Sequence, residues 1–320
     1  MTNQIWVDKY RPKTFKDIIG QEYFVKRVKS FVESKSLPHL LFAGTPGTGK
    51  TTTAHVVARE LFGENSLSGN FLELNASDDR GIDVIRNQIK EFARLKSLTN
   101  IPYKLIVLDE ADSLTKEAQQ ALRRTMEKYS STCRFILACN EISKLIDPIQ
   151  SRCVIFKFKP LKKENLIELS EKIAKNENLN INKNTIEVLV KSTKGDLRKL
   201  VNTLQAASSV SKEITIEILD EILDYVEPTE VIELVNYASE GDFFKARDIM
   251  IKLRTIRGLT SLEILKEIYK NIISNEKLDP KIKVKFVDRI ATVEFRIVEG
   301  SDEELQLEAL LAMMSLLNQK

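Results

Sequence analysis

One short string constrains this chain more than any other. Gly44-Thr45-Pro46-Gly47-Thr48-Gly49-Lys50-Thr51 fits the pattern G-x-x-x-x-G-K-[ST]. Glycines at those positions let consecutive backbone N–H groups turn towards a phosphate. The lysine then reaches the β- and γ-oxygens, and the threonine hydroxyl is placed to hold Mg²⁺. Such a loop works where a strand ends and a helix begins. Leu40-Leu41-Phe42-Ala43 is an apolar β-type run before it, and Ala54, Val57, Ala58 and Leu61 follow at helical spacing. The string therefore asks for a sheet edge with a helix leaving it.

The first half of the chain supplies that sheet. Phe71-Leu72-Glu73-Leu74, Leu105-Ile106-Val107-Leu108, Phe135-Ile136-Leu137-Ala138 and Val154-Ile155-Phe156 are further β-type runs. Helical patterns separate them, among them Phe24, Val28, Phe31 and then Ile82, Ile85, Ile89, Phe92. That alternation predicts βαβ units around a parallel sheet. After Lys159-Pro160 the β runs stop, and the chain from Leu161 onward reads helical. Lys194-Gly195-Asp196, Glu227-Pro228 and Asp279-Pro280 punctuate it. The expected division is an α/β domain over 1–160, a small helical domain over 161–226 and a second helical domain over 227–320. The last helix is apolar nearly all round, since only Glu308 and Ser315 interrupt the run from Leu307 to Leu317. It should be buried on most sides, as a central core helix or under neighbouring subunits.

Two more candidate residues come from strand ends. Leu105 to Leu108 runs into Asp109-Glu110. A buried strand can deliver Asp109 to a metal, and the adjacent Glu110 can polarise an attacking water. Adjacent acids suggest hydrolysis. Phe135 to Ala138 runs into Cys139-Asn140; Asn140 is either a turn residue or a group that orients the same water. Cys139 reads as a buried filler, and His39 and His55 as structural.

Composition closes off other classes. At 42% hydrophobic and 30% charged residues, the chain fits a globular protein rather than a disordered one. No apolar run reaches the ~18 residues of a membrane span, and no signal-peptide core opens the sequence. The expectation is an intracellular protein without a membrane partner. Three cysteines and two histidines make neither a disulfide framework nor a Cys/His zinc cluster. Lys+Arg of 49 against Asp+Glu of 46 leaves a net charge of +3, so a nucleic-acid surface would have to be local.

Further strings resemble the signature boxes of one family. They are Trp6-Val7-Asp8-Lys9-Tyr10-Arg11-Pro12, Asn75-Ala76-Ser77-Asp78-Asp79-Arg80-Gly81, Ser151-Arg152-Cys153 and Gly195-Asp196-Leu197-Arg198. Together with the phosphate loop they resemble the replication factor C small subunits, archaeal type, of the AAA+ superfamily. The resemblance covers the whole chain. It implies an α/β P-loop AAA+ nucleotide-binding domain with a parallel sheet and flanking helices, then a helical lid and an all-α collar. It also implies ATP and Mg²⁺ as ligands, with Gly44 through Thr52 (Gly44, Thr45, Pro46, Gly47, Thr48, Gly49, Lys50, Thr51, Thr52) on the nucleotide. Val7, Tyr10, Arg11 and Ile19 would surround the adenine. Asn140 would sense the γ-phosphate first and Arg198, on a lid helix, second. Arg152 would be an arginine finger acting in trans on a neighbouring subunit's ATP; the alternative is an exposed ion pair.

The implied assembly is a pentameric ring with a replication factor C large subunit and further small subunits. It would act on a sliding clamp of the PCNA type and on primer–template DNA. It would be cytoplasmic in an archaeal cell and nuclear in a eukaryotic one. Arg86, Lys90 and Arg94 at i, i+4, i+8 form a basic stripe beside the apolar one, and with the family in view Arg80, Arg86 and Lys90 become DNA-backbone candidates. No aromatic interleaves the stripe, so base stacking is not expected. No Q-x-x-[ILM]-x-x-aromatic-aromatic string occurs. Clamp anchoring is therefore expected on the larger subunit, with the 96–103 loop as a contact here. Two alternatives share the phosphate motifs. A branch-migration helicase-type motor is disfavoured by the boxes and by the lack of a recognisable winged-helix domain. A non-hydrolysing scaffold subunit is disfavoured by the presence of Lys50, Asp109, Glu110 and Arg152.

Overall fold

The structure is a computed structural model describing residues 4–78, 83, 85–97, 99–223, 228–275 and 278–317, with backbone alone at 86, 223, 228, 229 and 317. It forms two compact units, Met1–Thr215 and Ile216–Lys320.

In the first unit, β1 (Leu40–Gly44), β2 (Phe71–Asn75), β3 (Lys104–Asp109), β4 (Cys133–Cys139) and β5 (Val154–Phe158) make one sheet, ordered β2-β3-β4-β1-β5. Every ladder in it is parallel. All five β-type runs seen in the sequence are strands. The apolar runs of β1, β3 and β4 follow from burial on both faces, whereas the edge strands β2 and β5 carry Glu73 and Lys157 and leave Ile155 38% exposed. Leu40 and Phe42 pack with Val57 and Leu61 of the Lys50–Phe62 helix, whereas Leu41 and Ala43 pack with Leu122 and Met126 of the Lys116–Lys128 helix. Register then sets the functional edge. Ala43 pairs with Cys139, and Asn75 pairs with Asp109, so the loop after β1 opens beside the ends of β3 and β4. In open α/β sheets this carboxyl edge is where ligands bind.

The segment 161–215 contains the helices Lys163–Glu177, Lys183–Thr193 and Leu197–Val210. It is not wholly helical: β6 (Asn180–Ile181) and β7 (Glu213–Ile214) form a short parallel pair. Two-residue strands are too short to show a period of two, which is why the sequence reads as helix throughout. Asn182 and Asp196 cap the second and third helices by accepting from the Thr185 and Lys199 backbone N–H groups.

The helix predicted from Ile82 to Phe92 is also interrupted. Residues Ile85–Ile89 form a π-helical turn before the α-helix Lys90–Arg94. A π turn adds a residue to the repeat and so shifts the angular register of everything after it. Ile85, Ile89 and Ala93 still reach the core. Lys90 and Arg94 are exposed, only the backbone of Arg86 is described, and Arg80 lies outside the described residues.

The second unit contains the helices Ile216–Leu223, Pro228–Ser239, Phe243–Thr255, Ser261–Ser274, Pro280–Val298 and Glu303–Leu317. The last is a core helix: it packs against each of the four before it, and Leu307, Leu310, Leu311 and Met314 are buried. Its polar interruptions are satisfied. Glu308 accepts from Arg247 Nε at 2.6 Å, and Ser315 Oγ donates to the Leu311 carbonyl at 3.0 Å. Leu316 is 70% exposed. Among the described residues, no helix is long and apolar enough to cross a membrane.

Candidate nucleotide site

The loop after β1 is shaped by its glycines. A side chain at Gly44 would meet the Phe158 carbonyl oxygen at 2.3 Å, so the strand can leave the sheet here only as glycine. Gly47 and Gly49 adopt φ of +73° and +92°, a region other residues avoid, and these conformations form the turn into the Lys50–Phe62 helix. The backbone is thus arranged as the anion cradle that the motif requires.

Lys50 is the first residue of that helix and is 7% exposed. Its ammonium donates to the Gly44 carbonyl (2.7 Å), the Thr45 carbonyl (3.0 Å) and Asn140 Oδ1 (2.9 Å). Three donors meet three acceptors, so the side chain is held extended. Burial pushes its pKa down, while the carboxylates of Asp109 and Asp112 pull the other way. Thr51 Oγ1 donates to Asp109 Oδ2 at 2.5 Å, and Asp109 Oδ1 accepts from the Glu110 N–H at 2.9 Å. The oxygens of Thr51 and Asp109 are a hard donor pair, suited to Mg²⁺ that completes its shell with phosphate and water. Glu110 itself takes a left-handed conformation, φ +49°, where β3 turns away. The site thus juxtaposes a phosphate cradle, a cation, a metal-type donor pair and a second carboxylate.

These residues line a cavity of about 410 Å³, large enough for a nucleotide. Val7, Tyr10, Arg11 and Ile19 line it from the N-terminal segment, and Pro46 to Thr52 from the loop and helix. Asp109, Glu110 and Asn140 line it from the strand ends, and Arg198 from the start of the Leu197–Val210 helix. Gly44 and Thr45 contribute their carbonyls to Lys50 instead. Arg198 is exposed, and its charge lowers the Lys50 pKa further. Tyr10 is tied by its hydroxyl to Glu177 Oε1 at 2.5 Å, and its pKa is raised mainly by burial. The Trp6 N–H donates to Gln205 Oε1 at 2.8 Å. The N-terminal segment is therefore pinned to the helical part of this unit.

Arg152 is not brought to this cavity. It lies exposed beyond the Asp147–Gln150 helix, where it pairs with Glu127 and donates to the Pro148 carbonyl at 2.6 Å. Of the 96–103 loop, residue 98 lies outside the described residues. Tyr103 is buried, its hydroxyl accepting from the Leu37 N–H at 3.1 Å, and is no surface contact. His39 Nδ1 accepts from the Phe135 N–H at 3.1 Å, and His55 meets Glu73 at 2.9 Å. Cys139 is buried, and burial pushes its thiol up to about 12. Leu169, Lys172 and Val201 also line the cavity. They sit on amphipathic helices at ordinary spacing, so no motif marked them. Asp112, in the acidic string after β3, accepts from the Asn140 and Glu141 N–H groups, a contact that no local pattern marks.

Residues 40–161 match the family described as ATPase family associated with various cellular activities, and residues 226–313 match the replication factor C C-terminal domain. The replication factor C small subunit of Sulfolobus acidocaldarius is 50% identical over 98% of this chain and 96% of its own length. That of Methanococcus maripaludis strain S2 is 48% identical over 98% of each chain, and that of Archaeoglobus fulgidus 45% identical over 99% of each. In fold, the chain is similar to the Holliday junction branch migration motor RuvB of Thermotoga maritima. The TM-score is 0.55 at 20% identity, covering 81% of this chain and 85% of that one.

Proposed function

Because the chain belongs to the replication factor C small-subunit family, we propose that it is an ATP-hydrolysing clamp-loader subunit. It opens a ring-shaped sliding clamp of the PCNA type and places it on primer–template DNA. The observation that carries the hydrolytic part is the convergence of Lys50, Thr51, Asp109 and Asn140 at one sheet edge, with Glu110 beside them on the same cavity.

In this reading the triphosphate lies along the Gly44–Thr51 cradle, with Lys50 on the β- and γ-oxygens and Thr52 at the following turn. Thr51 and Asp109 would hold Mg²⁺, which would neutralise charge on the phosphates. Glu110 accepts the proton of the attacking water. Asn140 and Arg198 contact the γ-phosphate from the strand end and from the helical lid. Val7, Tyr10, Arg11 and Ile19 enclose the base. Arg152 completes the neighbouring subunit's site, in keeping with its exposed position away from its own Lys50. The domains act as a nucleotide domain over 1–160, a lid over 161–226 and a collar over 227–320. The collar joins the chain to a large subunit and to further small subunits in a five-membered ring. Arg80, Arg86 and Lys90 track the DNA backbone without reading bases.

ATPase stimulation tests the reading. A loader requires primed DNA and clamp together for its highest rate. Stimulation by DNA alone would instead indicate a motor, and indifference to both a scaffold.

A further inference from the structure

One carboxylate outside the assigned set ties two parts of the site together. Asp112 lies in the 3-10 turn Ala111–Ser113, two residues beyond Glu110. Its Oδ2 accepts from the backbone N–H of Asn140 at 3.1 Å and from that of Glu141 at 2.9 Å. These are the first two residues after β4. Asp112 Oδ1 is buried without a hydrogen-bond partner among the described residues. Leaving a charged oxygen in that condition costs stability, and such costs are concentrated where function needs the group. Asn140 is exposed, and the Ile142–Lys144 turn that follows is held further along, where the Ile142 carbonyl accepts from Gln150 Nε2 at 3.2 Å and the Lys144 carbonyl from Gln119 Nε2 at 3.1 Å, so Asp112 is what grips the two amides nearest the Lys50 contact. Asn140 Oδ1 is the atom that Lys50 contacts. A continuous line of bonds therefore runs from the Glu110 turn through Asp112 and Asn140 to Lys50.

We propose that Asp112 is a positioning residue for hydrolysis, setting the Asn140 side chain in register with Glu110 by gripping the amides of Asn140 and Glu141. The inference rests on the reading of Asn140 as a γ-phosphate contact. If the β4 end drifts when the grip is lost, Asn140 no longer meets the γ-phosphate while Glu110 meets the water. Nucleotide still binds through the cradle and Lys50, but the aligned geometry is lost, and a misplacement of about 1 Å is worth up to ~10²-fold in rate.

The test compares full-length Asp112→Ala, Asp112→Asn, Asn140→Ala and the Asp112→Ala/Asn140→Ala double variant. Steady-state hydrolysis, separate ATP and ADP affinities and Tm are measured on each. Asp112→Ala should lose about 10- to 100-fold in turnover. Its ADP affinity should stay within about twofold, and its preference for ATP over ADP should fall to that of Asn140→Ala. The double variant should be no slower than Asn140→Ala, because both changes remove one contact. Asp112→Asn retains an acceptor oxygen for the two amides and should recover most of the turnover. Losses that multiply in the double variant would overturn the proposal, as would a joint fall of ATP affinity, ADP affinity and Tm in Asp112→Ala. Normal turnover in Asn140→Ala would mean that the γ-phosphate reading itself has failed. An impaired Asn140→Ala beside an unimpaired Asp112→Ala would remove only the role assigned to Asp112.

Discussion

The backbone N–H of Leu197 donates to the carbonyl of Gly47 at 3.1 Å, bonding the helix that carries Arg198 directly to the phosphate loop. Asp196, the cap of that helix, lies so close that a side chain at Gly47 would meet its Oδ1 at 2.0 Å. Loop and helix thus touch at a glycine that, like Gly44, has no room for a side chain.

Gly47→Ala should accordingly weaken ATP binding and lower Tm. The positive φ costs an alanine ~1–2 kcal/mol, and the contact with Asp196 adds to it. Adding Asp196→Ala removes the clash but also a helix cap worth about 1 kcal/mol. The double variant should therefore fall short of the sum of the two single losses. Thermal unfolding and ATP titration of all three variants check this; strict additivity would mean that the two residues do not meet.

Lys50→Ala should lose tight ATP binding. One charge-assisted hydrogen bond to phosphate is worth about 1.5–3 kcal/mol, or roughly 10–100-fold in Kd. Glu110→Gln should bind ATP nearly normally, since Thr51 and Asp109 remain, yet lose ~10²–10⁴-fold in turnover. Equilibrium binding and steady-state hydrolysis on both variants separate the two effects. Normal turnover in Glu110→Gln would assign water activation to another group.

Arg152→Ala should reduce turnover by about 10³–10⁵, the range for arginine fingers in other nucleotide hydrolases. Its own phosphate site stays intact, because Arg152 lies away from that cavity, paired with Glu127. Mixing Arg152→Ala subunits with Lys50→Ala subunits should restore partial hydrolysis wherever a good site faces a good finger. The recovery should fall on dilution. If mixed rings form, as mass spectrometry can show, and no activity returns, catalysis in trans is ruled out.

Lys90→Ala and Arg86→Ala should each weaken DNA binding equally on unrelated sequences. Each should also flatten the logarithmic salt dependence by about 0.9 per lost phosphate contact. Titrations on two primed templates at several salt concentrations measure the slope. An unchanged slope for both would return the stripe to an ordinary solvated face.

His39 predicts a pH effect on stability. Burial, aided by the Arg134 charge, lowers its pKa from 6.5 to about 4. The unfolded chain therefore takes up the proton first as pH falls. The stabilisation is complete above pH ~6.5 and is lost as pH drops towards ~4, about 3 kcal/mol in all. His39→Asn keeps an acceptor for the Phe135 N–H without titrating in that window. The gap in unfolding free energy between the natural protein and the variant should narrow by about that amount between pH 7 and pH 4. A constant gap would show that His39 titrates alike in both states.

Features that a short local pattern must produce can be read before any folding is considered. The runs Leu40 to Ala43, Leu105 to Leu108 and Phe135 to Ala138 could only be buried strands, because both of their faces needed cover. Gly44 to Thr51, between a strand and a helix, could form a phosphate cradle without help from the remainder of the chain. Asp109 and Asn140 were legible because each directly follows an apolar run. Features that depend on strand order and register arise only in the folded chain. β1 lies beside β4, which is 90 residues away in sequence at the Lys50–Asn140 bond, and no local pattern encodes that pairing. The same holds for Asp112 reaching the amides of Asn140 and Glu141, for Tyr10 on Glu177 and for Leu197 on Gly47. Each is one or two hydrogen bonds between distant segments, with no periodicity to announce them. Such contacts exist only once the hydrophobic faces have fixed where the strands and helices lie.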